Sequence, residues 1–213
     1  MPNIMELILV IPILLLSLSI HEYSHGYVSY LLGDPTPKQN GRLTLNPIAH
    51  LDLMGSLVLI ITRRIGWAKP VPINPRYYKN PRKGLMIVGI AGPGSNLVMA
   101  GIFAIIFRTV MFFANINSVG AISTQLSDFQ YLILRFLLLA IIVNLSLGFF
   151  NLLPIPPLDG SNILRGLLPS NFDKYINKLQ GPIGMVILLI LAYTGILWGM
   201  ISPFVNFFLG LLI

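Results

Sequence analysis

Several apolar stretches of this chain run past the roughly 18 residues that mark a membrane-crossing helix. They extend from about Ile4 to Leu32, Leu85 to Phe113, Phe129 to Phe150 and Pro182 to Ile213. In a hydrocarbon phase every backbone polar group must find a partner inside the chain, so such stretches fold as helices. Only 10% of the residues are charged, against about 25% in a soluble domain. The fold class to expect is an all-α polytopic membrane protein with about four to six transmembrane segments. The last stretch, interrupted by Gly195 and Pro203, reads either as one long tilted helix or as two short arms.

The net charge of +7 is distributed as a topology signal. Arg63, Arg64, Lys69, Arg76, Lys79, Arg82 and Lys83 fall between the first two long stretches, just after Lys38 and Arg42. Arg165, Lys174 and Lys178 follow in a later loop, whereas Ala114–Ser127 has no Lys or Arg. This is a positive-inside pattern, and it places the end of the first segment, the start of the second and the end of the third on the cytoplasmic side. No basic stripe with interleaved aromatics is present, so nucleic acid is not an expected partner. Some of the cations suit anionic lipid head groups. Nothing marks the start as a signal peptide: Glu6 replaces the usual basic flank and no small-residue cleavage site follows.

Between the first two segments, residues 33–83 form a polar region on the cytoplasmic side, broken by prolines. Arg42-Leu43-Thr44-Leu45 alternates as a short strand would. Leu53–Thr62 is apolar but too short to span, and reads as a strand or re-entrant piece. Trp67–Pro75 carries prolines that keep it extended. A small membrane-associated β-sheet or re-entrant cover is therefore expected here, within a single domain covering residues 1–213.

His21-Glu22-Tyr23-Ser24-His25 is an H-E-x-x-H pentad at the end of the first apolar run. Imidazoles at i and i+4 share one helix face and both reach one Zn²⁺, with the glutamate beside them as general base. From Ile4 to His21 the helix covers roughly 26 Å of a hydrocarbon core about 30 Å thick, so the pentad lies just inside the cytoplasmic edge. Gly89, Gly92-Pro93-Gly94-Ser95-Asn96 loosen the second segment at a similar depth. Small residues there permit close helix packing, and Asn96 is a candidate to face a wet cavity. The third segment ends in Asn151-Leu152-Leu153-Pro154-Ile155-Pro156-Pro157-Leu158-Asp159-Gly160. The charge bias alone thus brings three polar interruptions to one side, which is simplest to explain as one site.

The chain has no cysteine, so disulfides, iron–sulfur clusters and thiolate-bound zinc are excluded. A third zinc ligand must come from His50, Asp34, Asp52, Asp128, Asp159 or Asp173. Asp128 falls on the outer side, Asp173 in an exposed basic loop, and Asp34 and Asp52 in loops that look solvated. His50 suits a structural hydrogen bond better than a metal. Asp159 has the right depth on a proline-rigidified turn, although an aspartate there also reads as the N-cap of a short helix over about Ser161–Leu168. Arg108 and Arg135, near the outer face, are expected to snorkel or to pair with Asp128.

Together, His21–His25, Gly92–Asn96 and Asn151–Gly160 resemble, in order and over nearly the whole chain, the site-2 protease family of intramembrane zinc metalloproteases. Gly41–Pro47 is similar to the membrane-associated strand region of its small prokaryotic members. The resemblance implies one Zn²⁺ held by His21, His25 and Asp159, with Glu22 activating water and Asn151 and Asn96 on the substrate or oxyanion side. It implies cleavage in or next to transmembrane segments of membrane proteins, in the cell membrane, with the active site near the cytoplasmic face. Partners are then a transmembrane substrate and the bilayer, with room for a homo-oligomer. Two departures from larger members are expected: no PDZ-like or nucleotide-sensing domain is read in this sequence, and with the first segment starting almost at residue 1, no helix is expected ahead of the catalytic one. The alternative from another class is a non-catalytic pseudoprotease or metal-ion carrier on the same fold. The intact Glu22 and the gathering of polar groups at one place, not along a path, speak against it.

Overall fold

The computed structural model describes residues 4–62, 66–114, 116 and 127–213. In chain order the helices are α1 (Ile4–Leu31), α2 (Thr36–Gln39), α3 (Pro47–His50), α4 (Leu53–Thr62), α5 (Pro81–Phe113), α6 (Asp128–Leu152), α7 (Asp159–Leu167), α8 (Asp173–Leu179), α9 (Pro182–Tyr193) and α10 (Ile196–Leu212). The helix starts obey local rules. Asn80 caps α5 by accepting from Lys83 N, with Pro81 in the first turn where its missing N–H is not needed. Ser127 and Gln130 form a reciprocal capping box at the start of α6.

α5 is the central helix and packs against α1, α6 and α7. Its inner face is built from Ala100, Ala104 and Phe107, which meet Leu134, Leu137, Ile141 and Leu145 of α6. The alanines let the two backbones approach, as in membrane bundles that lack a hydrophobic driving force between helices. The outer faces are apolar as well: Ile105 is 69% exposed, Phe112 76% and Phe113 78%. A helix that is apolar all round belongs in lipid.

Three helices, beginning at Glu6 in α1 and covering all of α5 and α6, are long and apolar enough to cross a membrane. A fourth is gained if Ser170–Leu179 and Pro182–Tyr193, bent by 71°, count as one span. The chain is thus a helical multi-pass membrane protein with three to four candidate spans among the described residues, against about four to six expected from the sequence. The last apolar stretch is two helices. Gly195, at φ 78°, breaks it between α9 and α10, leaving each arm shorter than the roughly 20 residues a span needs.

The expected β-sheet is not formed among the described residues. One isolated bridge, Leu51 to Ala68, is all that pairs, and Arg42–Leu45 is irregular. The partner segment explains this: Pro70, Pro72 and Pro75 lack the N–H groups a ladder requires. Leu53–Thr62 is a helix, not a strand; Asp52 Oδ1 accepts from Gly55 N at 2.7 Å and caps it. Of the basic cluster, Arg63 and Arg64 lie outside the described residues, as do 115 and 117–126 of the Lys- and Arg-free loop.

Candidate metal centre

One helical turn separates His21 from His25 on α1, so both rings project from the same face. Their Nε2 atoms stand 3.0 Å apart. Asp159 Oδ2 lies 3.1 Å from His21 Nε2 and 3.2 Å from His25 Nε2. Each ring nitrogen's role is decided by what the other nitrogen meets. His25 Nδ1 lies 2.7 Å from the carbonyl of Val88, which only accepts, so the proton sits on Nδ1. His21 Nδ1 donates to Asn96 Oδ1 at 2.6 Å. Both Nε2 lone pairs therefore face each other and a carboxylate oxygen. Three acceptors this close repel unless a cation or proton lies among them.

Donor atoms about 2.0–2.1 Å from a tetrahedral zinc stand roughly 3.3 Å apart, close to the edges of this triangle. Gly92 of α5 makes room for it: a Cβ there would stand 2.3 Å from His25 Nε2 and 2.6 Å from His21 Nε2. The donor set and the cradle both fit Zn²⁺. Among the described residues this is the one group of three ligating side chains that converges.

Asp159 is the first residue of α7, and its side chain caps nothing; Leu158 occupies the cap position. The N-cap reading therefore gives way to a carboxylate aimed at the imidazoles. The turn before it is compact. Ser161 Oγ donates to Leu158 O at 2.7 Å, and a Cβ on Gly160 would stand 2.3 Å from the carbonyl oxygens of both Leu152 and Leu153.

Glu22 follows His21 on α1, and its Oε2 accepts from Val71 N at 2.9 Å. Val71 belongs to a strap over residues 68–74 that is pinned from three directions. Arg42 Nη2 donates to Lys69 O at 2.5 Å and Pro70 O at 3.2 Å. Lys69 N donates to His50 O at 2.9 Å. Asn74 N donates to Asp34 Oδ2 at 2.7 Å. Asp34 is thus wholly buried, not solvated as its loop position implied. It also accepts from Ser29 Oγ and Thr36 N. Burial opposes its ionisation, yet hydrogen bonds from Thr36, Asn74 and Ser29 prevail and lower its pKa.

His21, Glu22, His25, Asn151 and Asp159 line one cavity of about 510 Å³ whose other walls are largely apolar, including Trp67, Val71, Leu188 and Leu189. Asn151 Nδ2 donates to Leu147 O at 3.0 Å, within its own helix. Asn96 does not face that space. It is fully buried, and its amide is shared among His21, Ser17 O and Asn144. The expectation that it contacts substrate is corrected accordingly.

The other candidates lie elsewhere. His50 Nε2 donates to Thr44 O at 2.8 Å and Asp173 pairs with Arg82 at 2.5 Å, while Asp128 starts α6. Arg135 pairs with Glu6 at 2.6 Å, not with Asp128, and Arg108 reaches Leu211 O at 3.3 Å. Sequence reasoning missed Asn144, the Val88 carbonyl and the hydrogen bond from the strap to Glu22, having read Trp67–Pro75 only as an extended part of a cover. For Asn144 a signal existed, since an amide in mid-span is expensive unless it has work to do.

No solved structure matches the chain. It is 40% identical over 194 residues to a Bacillus subtilis protein provisionally named zinc metalloprotease YwhC, covering 89% of this chain and 84% of that one. A Mycolicibacterium smegmatis protein, also provisionally named a zinc metalloprotease (Rip2), is 32% identical over 86% of this chain and 67% of its own length. A zinc metalloprotease of Methanocaldococcus jannaschii is 28% identical, covering 87% of this chain and 42% of the archaeal protein. With the model of peptidase family M50 matching residues 9–195, the chain belongs to that family of site-2 protease zinc metallopeptidases.

Proposed function

We propose that this zinc metallopeptidase works as an intramembrane protease, a single domain over residues 1–213 that hydrolyses peptide bonds in or next to transmembrane segments of membrane proteins. His21, His25 and Asp159 hold the zinc, Glu22 is the general base, and the centre faces the cytoplasmic edge of the bilayer. The observation that carries the reading is the convergence, within 3.2 Å, of Asp159 Oδ2 from α7 with the two imidazole nitrogens of α1, a helix apolar enough to span. The cavity beside them, walled largely by apolar side chains, suits a substrate segment arriving from lipid.

When bound, zinc acidifies a water molecule and polarises the scissile carbonyl. Glu22 takes the proton of the attacking water, held in place by the hydrogen bond from Val71 N, and returns it to the leaving amine as the C–N bond breaks. His21 and His25 keep their Nε2 lone pairs directed at the centre because their Nδ1 protons are committed to Asn96 and Val88. Asn151 has one amide hydrogen on Leu147 O and a second to offer to substrate or to the developing oxyanion. A helical substrate hides its carbonyls and must unwind. The extended strap over 68–74, anchored by Arg42, gives it an extended backbone to lie beside.

The test is cleavage of a tagged transmembrane-segment substrate by purified protein in detergent, with Glu22→Gln alongside and zinc quantified in both. Cleavage by the wild type that disappears in the variant while zinc stays bound is the expected result. Equal cleavage by both proteins, or zinc lost with the substitution, refutes the role given to Glu22.

A further inference from the structure

Asn144 lies in the middle of α6, fully buried, on a helix that supplies no zinc ligand. Its Nδ2 donates to Ala140 O at 2.9 Å, one turn back on its own helix. A backbone carbonyl can only accept, so this contact fixes which end of the amide is which. Oδ1 must then face Asn96, and it receives Asn96 Nδ2 at 3.0 Å. The other contact of that Nδ2, to Ser17 O, is longer at 3.3 Å. With its donor end committed, Asn96 has only Oδ1 to present to His21 Nδ1, 2.6 Å away. The polarity of a carbonyl on α6 is thereby handed through two amides and across α5 to an imidazole on α1.

We propose that Asn144 is a positioning residue for the metal centre: by fixing the orientation of Asn96, it keeps the proton of His21 on Nδ1 and leaves Nε2 free for the ion. The proposal rests on the reading that His21 binds zinc. If Asn96 turned over, it would present Nδ2 to the ring and drive the proton onto Nε2, which then could not ligate. Partners behind a ligating histidine are typically worth about 10–100-fold in metal affinity. Asn144 acts one residue further back, through the shorter of the two contacts that orient Asn96.

The test measures zinc dissociation constants by chelator competition in detergent for wild type, Asn144→Leu, Asn144→Asp and His21→Ala, with thermal unfolding of each metal-free protein. Asn144→Leu should weaken zinc by about 10-fold or more. Asn144→Asp, buried and therefore protonated, still donates to Ala140 O and accepts from Asn96, and should bind within about threefold of wild type. Zinc affinity unchanged in Asn144→Leu but lost in His21→Ala overturns the positioning role while leaving the ligand assignment standing. Unchanged affinity in His21→Ala overturns that assignment itself. If both Asn144 variants lower the metal-free unfolding temperature and zinc affinity alike, the residue merely ties α6 to α5 and the proposal fails. Should Asn144→Leu not fold, ¹⁵N shifts of the histidine rings in metal-free wild type decide: an Nδ1–H ring at His21 supports the proposal, and an Nε2–H ring overturns it.

Discussion

Replacing Gly92 by alanine tests the metal centre without touching a ligand. The added Cβ would stand 2.3 Å from His25 Nε2, 2.5 Å from His25 Cε1 and 2.6 Å from His21 Nε2, where ordinary contact begins at 3.4 Å. Both rings would have to retreat by about 1 Å, several times the ±0.2 Å that metal–ligand distances tolerate. His25 cannot retreat freely, because its Nδ1 is tied to Val88 O at 2.7 Å, on the same helix as the intruding methyl. We expect zinc affinity to fall at least 100-fold, or about 2.7 kcal/mol. The helix itself is not the weak point, since alanine is favoured over glycine in a helix interior by about 1 kcal/mol. Gly94→Ala is the internal control: it lies two residues away on α5, and its Cβ would meet nothing within 4 Å. The assay is chelator competition in detergent, read beside helicity and unfolding temperature. Zinc affinity within threefold of wild type in Gly92→Ala would show that the imidazoles do not bind the metal in the positions described.

Three further substitutions probe the surroundings. Arg42→Ala removes the guanidinium that holds Lys69 O and Pro70 O; cleavage should drop about 10-fold with zinc content unchanged, since bonds to a charged donor are worth about 1.5–3 kcal/mol, and unaltered turnover would remove the strap from the mechanism. Gly160→Ala forces a methyl against the carbonyls of Leu152 and Leu153 and should displace Asp159, lowering zinc occupancy and unfolding temperature together, whereas Gly101→Ala, with open space around it, should change neither. Asp34 has a lowered carboxyl pKa in the fold, so its ionised form contributes stability that is complete above the unfolded value of about 3.9 and is lost as pH falls through the folded one. Asp34→Asn should therefore destabilise the metal-free protein at pH 6 and show a shallower acid limb in thermal unfolding between pH 6 and 3; a limb as steep as that of wild type would assign acid sensitivity to other carboxylates.

Much of this arrangement was legible in the sequence because it depends on periodicity and depth. The bounds expected for α1, α5 and α6 differ from those observed by a few residues, since uninterrupted apolar runs in lipid have one way to satisfy their backbones. Topology brought the polar ends of α1 and α6 and the start of α5 to one side but left Asp159 open between a ligand and a helix cap, and it was the family resemblance that implied the set His21, His25 and Asp159. What was not found among the described residues is the sheet expected between Gly33 and Lys83. There the alternation of Arg42–Leu45 imitates a strand, but whether a strand forms depends on a partner, and the partner is full of prolines. Short apolar runs such as Leu53–Thr62 carry no period that separates helix from strand. Asp34 misled for a related reason. A loop aspartate is usually wet, and only tertiary contacts reveal three donors turned towards it.

The same reasoning explains why the atoms behind the proposed ligands are amides and carbonyls. Metal-bound histidines often lean on a carboxylate, which sharpens the ring's basicity. At the depth in a bilayer proposed for this centre, each further ion would be expensive to bury. The two histidines instead lean on neutral groups: Val88 O for His25, and the Asn96–Asn144–Ala140 chain for His21. The charges left at the proposed centre are those of Zn²⁺, Asp159 and Glu22, which sum to zero. A neutral centre keeps both imidazoles neutral and available as ligands, and it needs no counter-ion inside an apolar cavity. Directional neutral hydrogen bonds do the orienting, and the carboxylates are reserved for holding the metal and moving the proton.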